Sequence, residues 1–420
     1  MRIPFSLGPI GRALNSRNYR IFITGSLVSL TGSWMQRITV GWVTWELTHS
    51  GFWLGIMAFA DLFPTVVISP FAGAVVDRVN LMRLVKVTQA LAIAQSAALA
   101  GLSLAGMLTV ELLLGLVVFL GVVASFYQPA RLSMIPQLVA REDLSAAVAV
   151  QAVVFNIARF IGPAVAGVMI AAAGAGWAFA ANALTYAVFL LALHLVSLAA
   201  EDKSAVRAKG IGANIMEGYA YAFRHPGIGP TLLLMLVGCV LVRAVFELLP
   251  GFAGAVFQRD AEGLGMMAAA TGFGAVVSGL WLGRRQGIAG LTRLSLANMI
   301  LCSAFILGFA ATSNFWLGLL FLAIGGVSLV LNGVSAQTLV QGAVDPAYRG
   351  RVMATYGMLQ RSGPAIGALA MGAASEWVGL QWPLAVGCAI SLAFGLWYWR
   401  HLDRMAAALE GPGRGGGAAA

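Results

Sequence analysis

Residues 73–86 read Gly73-Ala-Val-Val-Asp77-Arg78-Val-Asn80-Leu-Met-Arg83-Leu-Val-Lys86. Two long apolar runs flank this knot of charge, roughly Phe52–Val76 and Leu84–Gly106. A side chain charged at every pH of interest is costly inside a hydrocarbon layer. The knot therefore belongs at headgroup level, as a tight turn joining two helices that cross a bilayer.

The rest of the chain agrees. Of 420 residues, 60% are hydrophobic and 10% charged, and the mean hydropathy is +0.86. Soluble domains carry about 25% charged residues, so a soluble enzyme with a large core is excluded. A crossing helix needs about 20 apolar residues. Runs of that kind fall at 21–45, 52–76, 84–106, 110–130, 146–171 and 177–198, and again at 228–249, 263–283, 291–311, 315–338, 352–374 and 382–400. The first is too long for a signal core and is expected as a retained span. The stretch 199–227 is read as a cytoplasmic linker, with a surface helix over Ile211–His225 ended by Pro226. Residues 401–420 are expected as a disordered cytoplasmic tail, Gly/Ala-rich from Gly411. The predicted domains are thus 1–198, 199–227, 228–400 and 401–420.

The net charge of +10 has a topological cause. With both termini on the cytoplasmic side, Arg37, Arg159, Arg243 and Arg361 lie within spans and Arg259 falls in an outer loop. Every other Lys and Arg faces the cytoplasm. That asymmetry is the positive-inside pattern. It explains the basic excess through lipid headgroups and leaves no reason to invoke nucleic acid. Cys239, Cys302 and Cys388 all sit in apolar runs and read as small buried residues, neither disulfide nor metal ligands.

The chain also repeats itself. Gly73…Asp77-Arg78 has an echo in Gly279…Gly283-Arg284, and the same offset carries Arg37 onto Arg243. Arg159-Phe-Ile-Gly162-Pro163 resembles Gln360-Arg361-Ser-Gly363-Pro364. Six spans, a linker and six related spans form a parallel two-half plan.

The Gly-x-x-x-Asp-Arg spacing of the quoted turn resembles the signature loop between the second and third helices of the major facilitator superfamily. The match is partial: Asn80, Leu81 and Met82 stand where a Gly-Arg-Arg tract is usual, and Arg83 and Lys86 come slightly later. The run Gly32-Ser-Trp-Met-Gln-Arg37, the segment Trp45-Glu46-Leu47-Thr48, and Asn156…Arg159…Gly162-Pro163 are similar to the drug- and siderophore-exporter (enterobactin-type) branch. The resemblance implies an all-α membrane protein of twelve transmembrane helices in two pseudo-symmetric six-helix bundles. It also implies a gating loop built from Gly73, Asp77, Arg78 and Arg83, with Asp77 facing a helix N-terminus and latching the halves while the outer side is open.

Charged groups inside the spans are functional candidates by default. Arg37 lies 16 residues past Ile21 and Asp61 16 residues before Asp77, which places both roughly 24 Å from the cytoplasmic face. They are expected to pair. Asp61 is read as a proton-titrating carboxylate and Arg37 as the group that sets its pKa, since burial raises such a pKa and a neighbouring guanidinium lowers it. Arg243 and Glu247, four apart, are expected on one helix face. Arg159 and Arg361 precede Gly162-Pro163 and Gly363-Pro364, where proline bends a helix. A surplus of embedded arginine suits an anionic or partly anionic solute. A static ion pair, and arginines bonded to carbonyls freed at the bends, are the plain packing alternatives. Gln36, Gln95, Gln128, Gln151 and Asn156 could line a cavity or simply tie helices together.

No nucleotide-binding loop or metal motif appears, so no cofactor is expected, and the partners are a small solute, a proton or other ion gradient, and the bilayer. The reading is a monomeric secondary transporter of the inner membrane, not an enzyme, exporting amphipathic compounds by alternating access. An uptake permease for an anionic metabolite is the alternative. A membrane enzyme or a non-transporting scaffold fits less well.

Overall fold

The computed structural model describes residues 8–76, 78–197, 220–285 and 287–411. Asp77, residues 198–219 with most of the expected surface helix, and the tail beyond 411 lie outside these residues; 220–224, the end of that helix, are helical and stop before Pro226. The described residues are helical, with no strand. In the first half they form α1 (Gly8–Asn15), α2 (Arg17–Thr48), α3 (Gly51–Val76), α4 (Leu81–Leu104), α5 (Val110–Met134), α6 (Leu144–Ala173) and α7 (Ala175–His194). In the second half they form α8 (Ile228–Leu241), α9 (Val245–Gly251) running into a π-turn at Phe252–Val256, α10 (Ala261–Gly283), α11 (Leu291–Ala311), α12 (Phe315–Ala343), α13 (Arg349–Val378), α14 (Gln381–Trp399) and α15 (Leu402–Glu410).

Nine helical stretches among the described residues are long and apolar enough to cross a bilayer. Helices α2, α10 and α13 have the length too. In α2 and α13 the embedded arginines and polar residues dilute the hydropathy. All twelve expected runs therefore fall on helix. The Asn80 Oδ1 accepts from the Arg83 amide at 2.9 Å and caps α4.

The chain divides into two compact units, residues 1–203 with 253–269, and 204–252 with 270–420. In the first, α2 packs on α6 and α7, α3 on α5, and α4 on α5 and α7. In the second, α8 packs on α13 and α14, α11 on α12 and α14, and α10 meets α12 where Gly274 faces Val327. Numbered by span, the two schemes are the same, as a repeated six-helix plan requires.

Two expectations are corrected. The seventh span is not one helix over 228–249. It breaks at 242–244 and resumes as α9. Pro250 has no N–H to give back along that helix, and the glycine-rich run after it opens into the π-turn. Residues 402–410, expected in a disordered tail, form α15 and bury Met405 and Leu409. The Glu410 carboxylate accepts from the Gly290 and Thr292 amides at 2.6 and 2.7 Å, at the start of α11. Burial pushes its pKa up, but the hydrogen bonds at Thr292 and Gly290, with Arg285 nearby, hold it below the ordinary 4.5. A carboxyl depressed in the folded state adds stability above its unfolded pKa and loses it as pH falls through the folded value. Amide exchange across 402–410, taken relative to the intrinsic rate of the free chain at each pH, is therefore expected to be slow at neutral pH and to quicken below about pH 4.5. In Glu410→Gln it is expected to be faster at neutral pH and insensitive to acid.

Candidate solute and ion-coupling site

In the first unit, Arg37 on α2 and Asp61 on α3 meet, with Arg37 Nη1 2.7 Å from Asp61 Oδ2. Their side chains are 30% and 34% exposed, so the pair is half-sheltered and within reach of water or a solute. Trp34, one turn before Arg37, extends the site. The Arg37 guanidinium lies 5.9 Å from its ring centre and the Arg159 guanidinium 5.7 Å. Phe155 meets the same indole edge-on at 5.8 Å. An indole face attracts cations through its quadrupole, so one ring serves two guanidinium groups from two helices.

Gly162 makes this possible. A Cβ there would stand 2.6 Å from Trp34 Cβ and 2.7 Å from the Thr31 carbonyl oxygen. Only a glycine lets α6 approach α2 closely enough for Arg159, three residues earlier, to reach the indole. Gly162 and Pro163 are buried inside a continuous α6. Beneath the site, Gln36 is locked into a buried network. It donates to Gln95 Oε1 at 3.0 Å and its own Oε1 accepts from Ser96 at 2.6 Å and Asn182 at 2.7 Å. Gln36 and Gln95 thus tie α2, α4 and α7 together. Asn156 donates to Ala152 O within its own helix at 2.8 Å.

In the second unit, Arg243 falls in the break between α8 and α9. The helix expected to carry Arg243 and Glu247 on one face is interrupted here, with Arg243 in the break and Glu247 on α9. Arg243 Nη1 instead donates to Gln360 Oε1, and to Cys239 Sγ at 3.8 Å. Gln360 Nε2 donates to the Tyr356 hydroxyl at 2.9 Å, which donates to Gly333 O at 2.8 Å. Arg243, Gln360, Cys239, Asn332 and Cys302 line one small cavity. Gly363 and Pro364 are buried in α13, and a Cβ on Gly363 would stand 2.5 Å from Cys239 Cβ. Arg361 is exposed and takes no part in this cavity. The offset that aligns the two Gly-Pro pairs places Gln360, not Arg361, opposite Arg159. Of the gating loop, Gly73 lies within α3, while Arg78 and Arg83 are exposed.

A profile described as transmembrane secretion effector matches residues 11–410. The chain belongs to this family. It is similar to the Staphyloferrin A transporter of Staphylococcus aureus (strain NCTC 8325 / PS 47), 26% identical over 376 residues, which are 86% of this chain and 90% of that one. The Enterobactin exporter EntS of Escherichia coli O81 (strain ED1a) is 27% identical over 253 residues, 60% of either chain. Among solved structures, the nucleoside transporter NupG superposes with a TM-score of 0.70 at 13% identity, over 91% of this chain and 98% of that one. A bacterial homologue of the iron transporter ferroportin gives 0.70 at 15%, over 93% and 99%. The fold is that of the major facilitator superfamily, and the protein is a transporter, not an enzyme.

Several residues of this secretion effector carry no warning in the sequence. Trp34 is one aromatic among many in apolar runs. Arg131, counted by sequence among the cytoplasmic loop charges, lies on α5 and is 4% exposed. Its Nη1 donates to Ser26 Oγ at 3.1 Å and its guanidinium lies 5.9 Å from the Tyr127 ring centre. Pro129, two residues before it, is the available signal: proline inside a span often marks helix that continues under tertiary support.

Proposed function

We propose that this transporter exports small amphipathic or anionic compounds, siderophore-like or drug-like, in exchange for protons. The observation that carries the reading is the cluster of Arg37, Asp61 and Arg159 around Trp34. It sets one carboxylate on the Arg37 guanidinium, and Arg37 and Arg159 about one aromatic ring, inside spans where charge is otherwise rare. A solute with acidic groups and a flat ring satisfies the arginines and stacks on the indole. A hydroxyl or amide of that solute donates to the ionised Asp61 carboxylate beside Arg37, and protonation of Asp61 removes that acceptor. Proton and solute thereby exclude each other, which is what exchange needs. The relatives named for staphyloferrin A and enterobactin support the siderophore-like end of that range.

In this reading Arg243, with Gln360, is a second polar candidate, within the second unit. Glu247 and Arg361 are secondary candidates, and the Gly162-Pro163 and Gly363-Pro364 segments seat the helices that carry the arginines. Asp77, Arg78 and Arg83 latch the cytoplasmic side as the halves alternate. The protein acts as a monomer in the inner membrane with both termini in the cytoplasm, as its charge asymmetry favours. Proteoliposomes test this directly. A pH gradient imposed across them should drive a labelled catecholate or polycarboxylate siderophore against its own gradient, and collapsing the pH gradient should stop it. Transport down the proton gradient in the same direction as the proton would favour the uptake permease instead. No gradient dependence would refute coupling.

A further inference from the structure

We infer that the groove between the cytoplasmic ends of α4 and α7 is a binding site for an anionic phospholipid. Arg83 and Lys86 stand at one end of it. Met82, Val87 and Ala90 on α4, and Leu190 on α7, line the remainder. The division follows from helix geometry. Leu81, Val85, Thr88 and Gln89 turn inward and are buried, so Met82, Arg83, Lys86, Val87 and Ala90 are left on the outer face. From Arg83 to Ala90 the groove climbs roughly 10 Å along the helix, from positive charge at the bilayer surface to bare methyl groups at acyl depth. Val87 is 51% exposed, and Leu191, beside the groove on α7, is 67% exposed.

The charges need a partner. Neither Arg83 nor Lys86 makes an ion pair among the described residues. Each is held on a rigid helix whose first turn is fixed by the Asn80 cap, so the two cations present a preset spacing rather than a loose cloud. A molecule with a negative headgroup and a hydrocarbon chain in line with it matches both ends of the groove at once. A soluble phosphate matches only the charged end, and a neutral lipid only the apolar end. Basic pockets between helices on the cytoplasmic side recognise lipid headgroups in this way. The inference is independent of the solute that the transporter carries.

The test is a titration of delipidated full-length protein with phosphatidylglycerol, read by native mass spectrometry. The wild type is expected to retain the lipid, and Arg83→Gln/Lys86→Gln to bind it about 30-fold more weakly, at the usual contribution of each cation near an anionic surface. Ala90→Trp, which fills the apolar end and keeps both charges, should also weaken binding. Arg141→Gln/Arg349→Gln, which removes two exposed cytoplasmic cations elsewhere, should leave it unchanged. All of these positions are exposed or partly so, and the substitutions spare the core. Equal loss in the Arg141/Arg349 control would reduce the effect to general surface charge. Undiminished binding in either groove variant overturns the site. Displacement of the lipid by inorganic phosphate as effectively as by phosphatidylcholine-diluted phosphatidylglycerol would make it a phosphate site and not a lipid one.

Discussion

Asp61→Asn is expected to abolish concentrative transport while leaving the fold in place. Under a one-unit pH gradient with no voltage, exchange of one proton per solute accumulates the solute about tenfold. An asparagine cannot take up a proton, so the variant should fall to an accumulation ratio of about one, the value of passive equilibration. Folding should suffer little. The ion pair is about one-third exposed on both sides, and pairs so exposed contribute about 1 kcal/mol or less after solvent screening. The contrast between a lost gradient and a retained melting temperature is the signature of a coupling residue. A merely structural pair would show the opposite, with stability falling and coupling surviving. Arg37→Lys refines the test. It keeps the charge opposite Asp61 but loses the flat guanidinium that lies over Trp34, so coupling should persist while solute affinity drops. An Asp61→Asn protein that still concentrates solute tenfold would remove Asp61 from the mechanism.

Gly162→Ala is expected to cost about 2 kcal/mol, the range for forcing one extra carbon into a packed interface. The added carbon would meet Trp34 Cβ at 2.6 Å and the Thr31 carbonyl at 2.7 Å. Neither contact is the free end of a flexible side chain, so α2 and α6 have to part. Arg159 moves with α6 and leaves the indole. A fall in the unfolding midpoint together with weakened solute binding is the expected pair of results. Gly101→Ala is the control. It lies in α4 with nothing within 4 Å of its would-be Cβ, and there the helix propensity of alanine should stabilise by up to about 1 kcal/mol. Equal behaviour of the two variants would mean that the close approach of α2 and α6 contributes nothing.

Much of this was legible in the residues before any coordinates. Depth counting brought Arg37 and Asp61 together because α2 and α3 both run unbroken past them, so 1.5 Å per residue is a fair ruler. No such ruler runs from Arg243 to Glu247, because Arg243 sits in the break at 242–244. Charge drew attention to Arg361, yet the repeat pointed to its neighbour Gln360, and the neutral amide is the one that meets Arg243. Internal symmetry was the better guide there, since packing preserves position more faithfully than charge. Trp34 was illegible because an aromatic ring in an apolar run gives no hint of what will lie over it. Helix α15 was readable: Met405 and Leu409 are four apart in an alanine-rich run of good helix formers, obscured by the glycine-rich sequence that follows.

The buried amide network at Gln36 has a mechanical consequence. Through Gln36, α2 is held by Gln95 and Ser96 of α4 and by Asn182 of α7, like a shaft fixed by a key. Arg37 is the next residue, so its bearing around the shaft is set and it cannot swing away by rotation of its own helix. A stroke that parts the guanidinium from the carboxylate by moving a helix is therefore left to α3, which carries Asp61 and contributes to none of these three bonds.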